Sequence, residues 1–61
     1  MEKAYVTYKR VNEIIHIELT INGSWEGGGN TGVKTEEEAY NFACKIATSK
    51  NARVECFRCV S

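Results

Sequence analysis

The segment from Ile14 to Ile21, IIHIELTI, limits the fold more than any other part of the chain. Ile15, Ile17, Leu19 and Ile21 fall on one side of an extended backbone, and Ile14, His16, Glu18 and Thr20 fall on the other. A side-chain period of two, in β-branched residues, describes a strand whose first face is core and whose second is at least partly wet. A strand of that kind needs partners in a sheet and a covering layer on its apolar face. With 61 residues, both must come from one domain spanning 1–61. A chain of this length buries only about 60% of the surface it exposes when unfolded, so the core must be thin.

The partners can be read on either side. Residues 3–9 (KAYVTYK) alternate, with Ala4, Val6 and Tyr8 on one face and Tyr5 and Thr7 on the other. The residues from Arg10 to Glu13 form a short hairpin connection to the second strand. Asn22-Gly23 marks a turn, and Ser24-Trp25-Glu26 can begin a returning strand. Gly27-Gly28-Gly29 should end it, which leaves 23–34 mainly a flexible loop. Thr35-Glu36-Glu37-Glu38 is a capping box, with three carboxylates at the positive end of a helix dipole. Ala39, Phe42, Ala43, Ile46 and Ala47 then recur at helical spacing as an apolar stripe, and Asn51 suits the left-handed residue past the helix end. In 53–60 (RVECFRCV) alternation returns, grouping Val54, Cys56 and Val60 against Glu55, Phe57 and Cys59. The expected fold is α+β: a three-stranded antiparallel sheet with one helix packed on one face, β-β-α-β, in spatial order 2-1-3. The right-handed crossover preference places the last strand parallel to the second and antiparallel to the first between them.

Composition narrows the function. Eight basic and eight acidic side chains cancel, so no net field steers the chain toward nucleic acid or a membrane surface. No apolar run approaches the roughly 20 residues that span a bilayer, and the N-terminus lacks the apolar stretch of a signal peptide. Cys44, Cys56 and Cys59 are an odd set, which suits reduced thiols in a cytoplasm better than a secreted disulfide framework.

Several motifs point toward chemistry, and each has a plainer explanation. Gly27 to Thr35 (GGGNTGVKT) approximates a phosphate-binding loop before a helix, but Val33 displaces Lys34 by one position and the following glutamates oppose phosphate. Cys56-x-x-Cys59 with Cys44 and His16 could supply four zinc ligands. Within a strand, however, an offset of three sends the two sulfurs to opposite faces, and Cys44 and Cys56 read as small core residues. His16 has no nucleophile or carboxylate pair spaced to work with it, so no enzyme, metal or cofactor is expected. Tyr5, His16 and Phe57 are expected to share the uncovered face of the sheet. Rings there can stack bases, but Glu18 and Glu55 oppose a polyanion, so a protein contact, self-association included, ranks ahead of nucleic acid. Trp25 either caps the end of the small core or, if exposed, anchors a partner with Glu26 and Asn30 as polar rim.

The helix segment TEEEAYNFACKIA (35–47), following two strands and preceding one, resembles the helix of very small bacteriophage proteins that inhibit host RNA polymerase or act as anti-CRISPR proteins. That resemblance implies a non-enzymatic cytoplasmic protein that docks on a host protein complex and blocks it. GVKTEEEAYNFA (32–43) is also similar to the three-strand-plus-helix DNA-binding domains of phage integrase arms and plant ethylene-response factors. Those domains read DNA with basic strands, where this second strand carries Glu13 and Glu18 and a further strand follows the helix.

Overall fold

The computed structural model describes residues 1–60. The chain runs β1 (Glu2–Val11), β2 (Ile14–Ile21), β3 (Ser24–Asn30), α1 (Glu36–Ser49) and β4 (Ala52–Cys59). It is an α+β domain with one helix, but the sheet is four-stranded and mixed, in the order β3-β2-β1-β4. β1 pairs antiparallel with β2, and β2 with β3, whereas β4 lies parallel to β1. The three strands legible in the sequence do stand side by side as β2, β1 and β4. Their expected all-antiparallel arrangement is corrected, and so is their number.

Both corrections have one cause. The chain does not stop pairing at the glycines: β3 continues through Gly27, Gly28 and Gly29 to Asn30, opposite Leu19 to His16 of β2. This extra strand reverses the chain once more before the helix. β3 and β4 therefore point the same way, and α1 is the crossover that parallel strands require. At Gly28 (φ +152°) a Cβ would come 2.3 Å from the Ile17 carbonyl oxygen, so only glycine lets the two backbones approach here. The expected flexible loop 23–34 thus shrinks to the residues after Asn30. Even these are tied down: Thr31 N–H donates to the Ile15 carbonyl at 3.2 Å, and Ile15 N–H donates to the Val33 carbonyl at 3.0 Å.

Two hairpins turn on residues in the left-handed region, Asn12-Glu13 (φ 53° and 69°) and Asn22-Gly23 (φ 55° and 78°). Such pairs suit the right-handed twist of the flanking strands. The helix begins on Thr35, whose Oγ1 accepts from the Glu38 amide at 3.2 Å. The same hydroxyl donates to the Glu38 carboxylate at 2.8 Å, so the reciprocal contact goes to the side chain and not to the Thr35 amide. Asn51, at φ 58°, takes the left-handed conformation past the helix end.

Ala39, Ala43 and Ala47 form the buried line of α1, and their small size lets the helix lie close to Val6, Ile15, Ile17 and Leu19 of the sheet. Phe42, placed in the stripe by spacing, sits on its margin and is partly exposed. A β-bulge shifts the register of β1 and β4, so that Ala4 faces Val54 while Tyr5 faces Cys56. The extra residue, Glu55, inverts the alternation beyond it. Ala52, Val54 and Phe57 consequently pack on the core side, and Cys56 moves to the open face beside Tyr5. Cys56 as a core residue, and Phe57 as an open-face residue, are both corrected.

Candidate functional site

The face of the sheet away from α1 is built by strict alternation on β1 and β2. β1 contributes Lys3, Tyr5, Thr7 and Lys9, the residues between the buried Ala4 and Val6 and the half-buried Tyr8. β2 contributes His16, Glu18 and Thr20 between its buried isoleucines and leucine. β3 lies beyond β2, with Trp25 opposite Thr20, Gly28 opposite Glu18 and Asn30 opposite His16. One row across the sheet therefore reads Cys56, Tyr5, Thr20, Trp25.

Trp25 does not fold over the core. Its surface is 61% exposed, yet its orientation is fixed, because the indole Nε1–H donates to Glu18 Oε2. Glycine at 28 makes this possible: a Cβ there would lie 3.0 Å from the same carboxylate oxygen, so the missing side chain leaves Glu18 room to lie across β3. Tyr5, 46% exposed, stands on the other side of Thr20, whose hydroxyl donates to the Tyr5 carbonyl at 3.4 Å. Thr7, Lys9, His16, Glu18 and Gly29 line a shallow open depression of about 280 Å³ next to these rings.

Of the six residues singled out in the sequence, four share this face: Trp25 and Tyr5 flank Thr20, and His16 faces Asn30 two rows away. The Asn30 side chain also accepts from the Gly32 amide at 2.8 Å, which fixes the exit from β3. Glu26 does not join them. It sits at the second register shift and reaches Lys50 at 4.0 Å, near the C-terminal end of the helix. Phe57 belongs to an aromatic cluster on the helix side, stacked on Tyr8 at 4.5 Å and meeting Tyr40 edge-on at 5.3 Å. That cluster continues to the helix N-terminus through the Tyr8 hydroxyl, which donates to Glu36 Oε2 at 2.8 Å. This bond holds the Tyr8 pKa above the ordinary 10.0, with burial adding to it. Tyr40 is raised in the same direction, chiefly by its hydrogen bond with Cys44.

Spacing alone missed the cations of this face. Lys3 and Lys9 could have been found from the alternation of KAYVTYK. Arg53, before the core-facing Val54, could have been found the same way, but Arg58 could not, because the bulge at Glu55 lies between them and breaks the count. The two sulfurs of the CxxC pair lie on opposite faces, Cys56 beside Tyr5 and Cys59 beside Tyr8. No group of three or more His, Cys, Asp or Glu side chains converges on a metal-sized site among the described residues. Nor is any helix among them long and apolar enough to cross a membrane. Compared with protein-family models, curated proteins and solved structures, the chain matches none.

Proposed function

We propose that this chain is a non-enzymatic interaction protein that docks on a protein complex through the β2/β3 side of its open sheet face and blocks that complex. One observation carries the reading: Trp25 is largely exposed and yet held in place by Glu18. A tryptophan already fixed in one orientation loses little freedom on binding, and tryptophan is among the residues that dominate interface energies. Asn30 and His16 lie two rows further along the same face, beyond Glu18, and extend its polar part. The phage-inhibitor resemblance of its helix suits a viral or mobile-element protein acting in a host cytoplasm, where its thiols stay reduced.

The test is affinity capture from bacterial lysate with wild type, Trp25→Ala and Trp25→Phe, each verified as folded by circular dichroism. A discrete complex should be retained by wild type and lost with Trp25→Ala. Once purified, that complex should bind wild type directly and lose activity as wild type is titrated in. Equal retention by wild type and Trp25→Ala, or self-association as the only complex formed, would remove the basis for the proposal.

A further inference from the structure

The other half of the same face carries a different chemistry. Lys3 and Lys9 on β1, with Arg53 and Arg58 on β4, place four of the chain's eight Lys and Arg residues on the β1/β4 side of the uncovered sheet. Same-face residues on a strand recur about every 6.7 Å, so Lys3, Tyr5, Thr7 and Lys9 form a row roughly 20 Å long. β4 runs parallel beside it, with Arg53 opposite Lys3, Cys56 opposite Tyr5 and Arg58 opposite Thr7. Tyr5 thus stands with cations on both sides along the row.

The opposing carboxylates are few and engaged. Glu18 is held by the Trp25 indole, and Glu55 pairs with Arg53 at 3.4 Å. The latter pair is largely exposed, and exposed pairs exchange readily for another anion. The helix side concentrates the acids, with Glu36, Glu37 and Glu38 in the first turn of α1. A chain of zero net charge is therefore polarised, basic on one half of one face.

We propose that the β1/β4 half of the open face is a track for single-stranded nucleic acid, with phosphates on Lys3, Arg53, Arg58 and Lys9 and a base stacked on Tyr5. A cationic row with a ring inside it matches how sequence-tolerant proteins hold single strands. The ring offers its face to an unpaired base, which a duplex keeps stacked inside, so the track should favour single strands over duplex. This inference stands apart from the Trp25 docking surface, which uses β2 and β3, so either can fail alone.

Fluorescence anisotropy with a labelled oligothymidine of about 12 nucleotides tests it. If all four cations meet phosphate, a single-strand slope of about 0.7 per contact makes binding roughly 50-fold weaker at 200 mM than at 50 mM salt. Lys9→Gln combined with Arg58→Gln should halve the log–log salt slope. Tyr5→Ala should weaken binding about tenfold with the slope unchanged. All the substituted side chains are solvent-accessible, and thermal melts would confirm folding; if Tyr5→Ala melts early, Tyr5→Leu replaces it. No binding by wild type at 50 mM salt would overturn the proposal. So would equal affinity for a duplex of the same length, or indifference to loss of the ring. Displacement of the oligonucleotide by polyglutamate as readily as by unlabelled strand would assign the track to an acidic protein instead.

Discussion

Glu13 occupies a backbone position that an L-residue with a Cβ avoids. At φ 69°, directly after Asn12 at 53°, it is the second residue of a two-residue turn in which glycine is the favoured choice. The left-handed conformation costs a residue other than glycine about 1–2 kcal/mol, and glycine's extra freedom in the unfolded chain offsets part of that. Glu13→Gly should therefore stabilise the protein by up to about 1 kcal/mol and raise its Tm by several degrees, as read in a thermal melt. The Arg10 guanidinium contacts the Glu13 carbonyl at 3.4 Å and the Lys34 carbonyl at 2.8 Å, and neither contact depends on the Glu13 side chain. Residue identity was a good guide wherever local geometry was regular: the Thr35 cap, the left-handed Asn51 and the Asn22-Gly23 turn were all legible. It was a poor guide to Trp25. Its exposure depends on the Glu18 carboxylate across β2 and on the Gly28 gap beneath that carboxylate, and both contacts are tertiary.

The helix is packed on the sheet by small residues along its middle, and two polar arrangements secure its start, a local cap and a contact to β1. Thr35→Ala removes the Oγ1 that accepts the Glu38 amide, and should cost about 1 kcal/mol, measured as a lower urea midpoint with unchanged slope. The second arrangement is the Tyr8–Glu36 hydrogen bond, which joins β1 to the first turn of α1 and gives stability a specific pH dependence. Because the Tyr8 pKa is raised in the folded state, the unfolded chain loses its tyrosine proton first. The contribution is complete below the ordinary value of 10.0 and is lost as pH rises through the higher folded value. Tyr40 adds to the decline with the same sign. Under reducing conditions, the urea midpoint of wild type should fall between pH 7 and about pH 11, and Tyr8→Phe should fall less steeply. An identical alkaline decline in Tyr8→Phe would show that the bond does not couple folding to protonation. At this scale the sequence was informative about elements with a period and marked only the start of the one without. β1, β2, α1 and β4 each announce themselves by alternation or helical spacing. β3 does not, because three of its seven residues have no side chain to alternate. The bulge at Glu55 hid in the same way, since one inserted residue reverses which of Cys56 and Phe57 faces the helix.

The whole molecule rests on a very small apolar interior in which Ile15, Ile17, Leu19 and Val6 are the only large side chains fully buried among the described residues. The missed third strand changed the sheet's topology but not this core, because β3 supplies none of the buried residues; it adds an edge and carries Trp25. That is why the layer arrangement could be read from the sequence while the strand directions could not. It also makes the two faces of β2 energetically unequal in a way that adjacent substitutions can measure. Ile17 is fully buried, and His16, its neighbour, is half-buried on the open face. Typical domain stabilities of 0.05–0.15 kcal/mol per residue give a chain of this length roughly 3–9 kcal/mol in all. Ile17→Ala should remove about 2–5 kcal/mol of that, through lost apolar burial and the cavity left between β2 and α1. His16→Ala should change stability by no more than about 0.5 kcal/mol. In parallel urea titrations, the first variant should lose about a fifth or more of the wild-type midpoint, or be unfolded without denaturant, while the second superimposes on wild type. Comparable losses from both would mean that the open face is covered in solution, most simply by a second copy of the chain. A midpoint that rises with protein concentration would then identify that copy and place its contact on the surface assigned here to Trp25 and Tyr5.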